Sequence, residues 1–193
     1  MKKKSEKKEV DIVTINDVEK ALQSTSRRIA LIHMAYAKVI IEELGDEKGM
    51  RLISKAIKNY GVRIGEKTKE EVIMKGLQAI PENFSKGESY AIPTMPGMYG
   101  RRETVEEKGF KKNRTYGCVL AQVWKEYGEE KLGRLYCYMD VAKYIAYNPN
   151  YKYAHIKAIP DGDEYCELEV KSTTEQERED FFAEDKDWFY IDK

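Results

Sequence analysis

The segment YKYAHIKAIPDGDEYCELEV, residues 151–170, decides the fold class of this chain. Its two runs of β-forming residues, 151–159 and 164–170, flank the turn Pro160-Asp161-Gly162-Asp163. An Asp-Gly pair between two such runs is a strong short-range signal for a β-hairpin, because glycine accepts the positive φ that tight turns need. The segment therefore predicts two paired antiparallel strands in the C-terminal half.

The N-terminal part of the chain shows a helical period instead. Between Thr14 and Leu44 apolar residues recur at steps of three and four, which is typical of an amphipathic helix. Gly45 suits the C-cap of this helix, and the side chain of Asp46 is expected to cap the next one.

The second helix carries apolar residues on one side as far as Ile64. Thr68-x-x-Glu71 then has two interpretations. It is the capping box of a third helix, or it belongs to one long helix that includes Gly61 and Gly65. Pro81 is expected to end the helical region.

Shorter elements are expected in the rest of the chain. A loop over 81–100 is followed by one or two half-exposed strands over 101–112, with a bend at Gly109. Two helices are expected over 118–127 and 140–147. A final helix should start at the Thr174-x-x-Glu177 box, and Trp188, Phe189 and Tyr190 should then pack the tail onto the domain. Helices first and strands later favour an α+β domain. We expect an N-terminal helical layer packed on an antiparallel sheet built mainly by the C-terminal half.

Length and composition fit one folded domain. The chain has 193 residues, of which 41% are hydrophobic and 14 are tyrosine, enough for one sizeable core. We expect a single domain over 14–193, preceded by a disordered basic leader over 1–13. The most apolar stretch, 29–41, contains His33 and Lys38, so no membrane span is expected. The charged residues after Met1 leave no room for a secretory apolar core.

The charge balance and the cysteines bear on partners and compartment. Lys and Arg number 34 and Asp and Glu also 34, so nucleic acid is not an expected partner. Three cysteines without a C-x-x-C pair fit reduced thiols in the cytoplasm. No cofactor is expected, although the cysteines and the two histidines could in principle hold zinc or another divalent metal. The aromatic stretches 136–153 and 181–190 could form a homo-oligomer interface, or they could be core.

Three sequence pieces in the second half, two of which contain both a thiol and an acid, together resemble a known family. They are LYCYMD at 135–140, YNPN at 147–150 and GDEYCEL at 162–168. With Cys118 and the following VWKEYG at 123–128, they resemble the L-2-amino-thiazoline-4-carboxylic acid hydrolase family over about residues 29–170. One departure is Val119, where many relatives have proline.

The resemblance implies an activity: water opens a cyclic isothiourea, L-2-amino-thiazoline-4-carboxylate, to N-carbamoyl-L-cysteine. The substrate is therefore expected to be a small molecule. The piece from Gly162 to Cys166 also resembles the 4-vinyl reductase-like small-molecule-binding domain. A non-catalytic binding or sensor domain is therefore the alternative function, and an accessory protein without a pocket is a third.

Ring opening needs an acid, a base and a group that holds the tetrahedral centre. Asp140 and Asp163 are the acid/base candidates, and Cys137 or Cys166 is the candidate nucleophile. The candidate substrate-binding residues are Arg101 and Arg102, which could clamp a carboxylate, together with His33 and Cys118. His155 is a further, weaker acid/base candidate.

Each of these candidates also has a purely structural interpretation. Asp163 would only shape the hairpin turn, and Asp140 would only cap a helix. The cysteines would be small buried apolar residues, His33 a hydrogen-bonded core residue, and the two arginines surface residues. The hydrolase hypothesis requires that folding bring the thiols and acids into one shared site.

Overall fold

A computed structural model describes residues 13–91, 95–107 and 109–193. Its helices and strands, in chain order, are α1 Ile15–Leu44, α2 Asp46–Met74, β1 Arg101–Glu107, β2 Phe110–Tyr116, α3 Val119–Glu126, α4 Glu130–Cys137, α5 Met139–Tyr147, β3 Tyr151–Lys157, β4 Cys166–Ser172 and α6 Glu175–Phe182. Short 3-10 helices span Pro81–Lys86, Ile159–Asp161 and Phe189–Ile191. Apart from Val13, the predicted leader lies outside the described residues, as do Ile92, Pro93 and Thr94 of the predicted loop.

The start of α1 is fixed by a capping box, in which Thr14 and Asp17 exchange hydrogen bonds between side chain and backbone. Gly45 ends the helix with a φ of 75°, as its sequence position predicts. The same glycine is also the N-cap of α2, and no side chain caps that helix. The predicted cap by Asp46 is therefore wrong: Asp46 is already helical and contributes only its charge to the first turn.

The open question about α2 is resolved in favour of one long helix. Gly61 and Gly65 lie inside it, where α5 crosses so closely that a Cβ on either would overlap atoms of α5. Thr68 is buried mid-helix. Glu71 turns away from the helix, accepting backbone hydrogen bonds from Glu88 at 2.7 Å and Ser89 at 3.2 Å.

The sheet has the order β1-β2-β4-β3 and is antiparallel throughout. The predicted hairpin is confirmed as β3 and β4, with Gly162 left-handed at a φ of 101°. The predicted bend at Gly109 is confirmed between β1 and β2. A register shift lies between His155 and Lys157 in β3. The α+β prediction is thus confirmed, with the sheet in the C-terminal half.

The core lies where α5 packs on α2 and on β3. Its buried members include Ile53, Ile57, Val141, Ile145, Phe181, Trp188 and Ile191. The predicted capping box of α6 and the docking of Trp188 are confirmed. None of the helices formed by the described residues combines the length and the apolar run that a membrane crossing requires.

Helix α4 was not expected from the sequence. It is held by tertiary packing rather than by local signals: Leu135 is buried in the core, and the ring of Trp124 lies against Gly133, where a side chain would collide with it. Because of α4, Cys137 lies at a helix end.

Candidate functional site

Asp140 lies in the first turn of α5, where the free backbone N–H groups favour a negative charge. Its Oδ1 accepts a hydrogen bond from Nζ of Lys143, three residues further along the helix. The Lys143 side chain is only 7% exposed, so this ion pair is largely shielded from water. The pairing fixes the direction in which the Asp140 carboxylate points.

His155 of β3 faces the other oxygen of Asp140, with Nε2 3.8 Å from Oδ2. That distance is too long for a direct hydrogen bond. On the opposite side of the ring, Nδ1 donates to Asp192, 3.1 Å from each carboxylate oxygen. The Asp192 carboxylate thus orients the imidazole and leaves Nε2 on the Asp140 side.

Asp192 follows the last 3-10 helix and is almost fully buried. Its Oδ1 also accepts the backbone N–H of His155 at 2.8 Å. Burial acts to raise the pKa of Asp192, but the hydrogen bonds and the electrostatic attraction of His155, together with the charge of Arg134, outweigh it, and the pKa is lowered. Asp192 is therefore a fixed negative charge behind the imidazole.

Arg134 of α4 extends this network toward the surface. Its Nη2 donates to Asp192 at 2.7 Å and its Nε to Asp161 at 2.9 Å. The guanidinium lies over the ring of Tyr138, 4.5 Å from the centroid. Its Nη1 is buried and makes no hydrogen bond to any described residue.

The three cysteines lie around one buried cluster that includes Leu120 and Trp124. Cys118 is the N-cap residue of α3, Cys137 the last residue of α4 and Cys166 the first of β4. Cys118, Cys137 and Ile159 pack against the same buried cluster, and the backbone N–H of Ile159 donates to Sγ of Cys166 at 3.4 Å. Burial is the largest cause that raises the pKa of each thiol, and the charge of Asp140 acts in the same direction. The catalytic roles of Cys137, Asp140 and Cys166 stay predictions.

Burial keeps these thiols protonated. It raises the pKa of Cys166 to about 11 and that of Cys137 well above its ordinary value. Burial also raises the pKa of Cys118, although the backbone N–H groups of Ala121 and Leu120 oppose it. None of the three is in a disulfide.

Tyr99, Tyr136 and Tyr153 lie around the same carboxylate and are half-buried. Burial is the largest cause that raises the pKa of each phenol, and the charge of Asp140 acts in the same direction. The pKa of Tyr153 rises to about 12. The three phenols are therefore neutral near pH 7 and can form hydrogen bonds.

The two candidate arginines lie on opposite faces of edge strand β1, as consecutive strand residues must. Arg102 lies over the ring of Tyr99, 5.2 Å from the centroid, and its charge reaches Tyr99 and Tyr153. Arg101 lies over Tyr116 at 4.1 Å on the other face. Only Arg102 is therefore on the side of Asp140.

His33 is a hydrogen-bonded, partly buried residue, as its structural interpretation expects. Its Nε2 donates to the carbonyl of Leu132 at 2.8 Å, and its ring packs edge-on against Trp124 and Tyr136. Burial lowers the pKa of this imidazole. His33 thus supports Tyr136 from behind.

Asp163 is not brought into the group. Its Oδ2 accepts the backbone N–H of Ala158 at 2.9 Å and so shapes the hairpin turn. The carboxylate charge that acts on the three thiols belongs to Asp140. Asp163 instead borders a surface cavity of about 630 Å³, and a second cavity of about 360 Å³ lies between α2 and residues 184–189. Both cavities lie outside the group around Asp140.

Sequence reasoning missed several members of the site. Lys143 could have been found, because a cation three residues after a carboxylate on a helix is a recognisable pair. Asp192 and Arg134 gave no local signal, since they meet His155 only through the tertiary fold. Within the described parts of the chain, no group of three or more His, Cys, Asp or Glu side chains is arranged to hold a metal ion.

Comparison with known proteins identifies one family for the chain. No curated protein and no solved structure matches the chain. The sequence model of the family described as L-2-amino-thiazoline-4-carboxylic acid hydrolase matches residues 25–170, a span that contains Cys118, Cys137, Asp140 and Cys166. Because this match covers well over half of the sequence, the chain belongs to the L-2-amino-thiazoline-4-carboxylic acid hydrolase family.

Proposed function

We propose that this chain is a hydrolase that opens a small cyclic isothiourea or amidine with water. The family supports a hydrolase of that type. The observation that carries the proposal is the Asp140 carboxylate, directed by Lys143 and facing an imidazole whose other nitrogen is held by Asp192. This is the arrangement of a positioned base with a supporting carboxylate.

In the proposal, Asp140 and His155 together activate the attacking water. The 3.8 Å between Nε2 and Oδ2 is short enough for one water molecule to contact both groups. The carboxylate accepts a hydrogen bond from the water, and the imidazole removes a proton from it. The imidazolium that forms is stabilised by the buried charge of Asp192.

The atoms balance as follows. The water oxygen adds to the ring carbon of the C=N bond, and one water proton passes to His155. The ring nitrogen takes up that proton from the imidazolium of His155, which gives a tetrahedral centre that carries the new hydroxyl. The bond from this carbon to sulfur then breaks while the hydroxyl gives up its proton and becomes the carbonyl of the urea. The released proton passes through the Asp140–His155 pair to sulfur, which leaves as a thiol. For L-2-amino-thiazoline-4-carboxylate the product is N-carbamoyl-L-cysteine, and no cofactor takes part.

The proposal gives the attack to water rather than to a thiol. Burial raises the pKa values of Cys137 and Cys166, so neither is a thiolate near neutral pH. A thiol nucleophile would first have to lose its proton to Asp140 or His155. The nucleophile role of Cys137 or Cys166 stays a prediction, which the variants in the Discussion test.

The substrate carboxylate is assigned to Arg102. It is an exposed cation on the Asp140 side of β1, beside Tyr99. A guanidinium binds a carboxylate through two parallel hydrogen bonds and would orient the ring toward Asp140. We further propose that the protein works in a reducing cytoplasm, which is consistent with its free thiols.

The test is turnover of L-2-amino-thiazoline-4-carboxylate and related cyclic isothioureas and amidines, with the product followed by chromatography. We expect Asp140→Asn to lower kcat by about 100-fold or more, because it removes the charge that activates water. Asp163→Asn, a loss of carboxylate charge outside the group, is the matched control and should keep kcat within about threefold. A wild-type chain that turns over none of these compounds would contradict the proposal.

The second candidate function is a non-catalytic ligand-binding domain. It is favoured by the burial of Tyr99, Tyr136 and Cys137, which raises their pKa values and keeps these side chains neutral, as in the lining of a ligand pocket. Calorimetry separates the two candidates. Tight binding of the ring compound that persists in Asp140→Asn, with no turnover by either chain, would establish the binding domain.

A further inference from the structure

Helix α1 carries an apolar stripe on its solvent side. Ile32, Tyr36 and Val39 are 56%, 67% and 55% exposed. At 100° per residue they share one face, opposite the buried Ala30 and Ala37. Side chains of this size aligned on a solvent face indicate an interaction surface.

A charge of opposite sign follows at each end of this stripe. Arg28 precedes it by one turn and Glu43 follows it by one turn, both exposed and on the same face. Arg27 and Lys38 on the neighbouring face are already paired within the chain, with Glu126 at 2.5 Å and Glu129 at 2.9 Å. Arg28 and Glu43 therefore differ from Arg27 and Lys38 in facing outward.

The stripe is complementary to itself. A two-fold axis between residues 35 and 36 would place Ile32 opposite Val39 of an antiparallel second copy. The same axis would place Arg28 opposite Glu43, so that apolar groups and charges are matched together. Self-complementarity of one patch is the condition for a symmetric dimer.

We propose that this face of α1 is the interface of an antiparallel homodimer, in which Arg28 of each copy pairs with Glu43 of the other. The steps between these residues are those of a helix seam that packs side by side with a second helix. The contact between 28 and 43 is about 24 Å long, since each helical residue rises about 1.5 Å. Such a short contact should give a dissociation constant on the order of micromolar.

Sedimentation equilibrium of the full chain between about 1 and 100 μM tests the proposal. We expect a dimer whose dissociation constant rises about thirtyfold or more in Tyr36→Asp, because a charge enters the centre of the interface. Ile73→Asp changes a similarly exposed apolar residue of α2 and should leave the dimer intact. A monomer throughout this range, or equal effects of the two variants, would overturn the proposal.

Charge reversal tests the register. Arg28→Glu alone and Glu43→Arg alone each create like-charge contacts and should be mainly monomeric. An equimolar mixture of these two variants restores both pairs and should form a heterodimer. If the mixture stays monomeric, or if either single variant dimerises as the wild type does, the antiparallel register is refuted.

Cross-linking gives an independent measurement. A cysteine at Ala35, next to the proposed axis, should form a disulfide-linked dimer under mild oxidation. Ala56→Cys, at an exposed position of α2, is the matched control and should not. Equal cross-linking of the two variants, or none at Ala35, would count against the proposal.

Discussion

The Nδ1 atom of His155 lies 3.1 Å from both carboxylate oxygens of Asp192. This contact joins strand β3 to the C-terminal residues. It also connects Asp140, on the Nε2 side of the imidazole, with Asp192 and Arg134 on the Nδ1 side. A continuous line of polar side chains runs from Asp140 through His155, Asp192 and Arg134 to Asp161 at the surface. The imidazole thus lies between carboxylates from two separate parts of the fold.

The first prediction concerns Asp192→Asn. The amide cannot hold the imidazole in the same tautomer or stabilise imidazolium, so we expect kcat to fall by about 100-fold or more. We also expect the free energy of unfolding to drop by about 3–5 kcal/mol, because Arg134 loses a buried partner. Activity assays and urea unfolding measure the two effects. Asp161→Asn is the control, since its side chain is 52% exposed and should cost less than about 1 kcal/mol.

The second prediction separates the two arginines of β1. Arg102→Gln should raise KM by about 10- to 100-fold with little change in kcat, because it removes a charged contact to the substrate carboxylate. Arg101→Gln, on the opposite face, should leave KM unchanged. Steady-state kinetics of the two variants measure this difference, and equal effects would remove Arg102 from the site.

The third prediction concerns the thiols. If water is the nucleophile, Cys137→Ala and Cys166→Ala should each keep kcat within about tenfold of wild type, the loss reflecting only poorer packing. If a thiol attacks, one of these variants should lose nearly all activity, and a covalent adduct should be visible by mass spectrometry after rapid quenching. That result would restore the cysteine to the role of nucleophile.

The parts of the fold that sequence could predict are those fixed by local signals. The period of α1, the Thr174 box and the Asp161-Gly162 turn each act within a few residues, and each prediction is confirmed. Helix α4 and the pairing of His155 with Asp192 depend on contacts between distant segments, so no local sequence pattern predicts them. The same limit explains Asp163, whose side chain is used by its own turn.

The family resemblance identified candidate site residues that local sequence patterns alone did not. It selected Cys118, Cys137 and Cys166, which border one buried cluster, and Asp140, whose charge acts on each of these thiols. It also selected Asp163, which lies in the hairpin turn instead. It could not choose between Arg101 and Arg102. That choice depends on the strand register, since neighbouring strand residues point to opposite faces.

The fourth prediction is that Gly65→Ala destabilises the chain and disturbs the site. A Cβ at this position would overlap the carbonyl of Lys143 on α5, so the helix that carries Asp140 must move. We expect a loss of about 2–4 kcal/mol in the free energy of unfolding, against the gain of about 1 kcal/mol that Gly→Ala gives in an open helix. Urea unfolding measures this, with Glu66→Ala on the exposed side as control. A stabilised Gly65→Ala chain would show that the α2–α5 contact can open without cost.

The fifth prediction concerns acid stability and Glu71. Hydrogen bonds from the Ser89 hydroxyl and from the backbone N–H groups of Glu88 and Ser89 lower the pKa of Glu71 from 4.5 to about 2. A carboxyl whose pKa is lowered on folding contributes stability above its unfolded pKa, and that contribution is lost as pH falls toward the folded pKa. Glu71→Gln should therefore melt at a lower temperature than wild type above about pH 4.5. The gap should close between about pH 4.5 and pH 2. Thermal melts across this pH range test the prediction, and Glu70→Gln is the control for loss of a surface charge. A difference in melting temperature that stays constant with pH would show that the carboxylate charge of Glu71 does not hold the 88–89 segment.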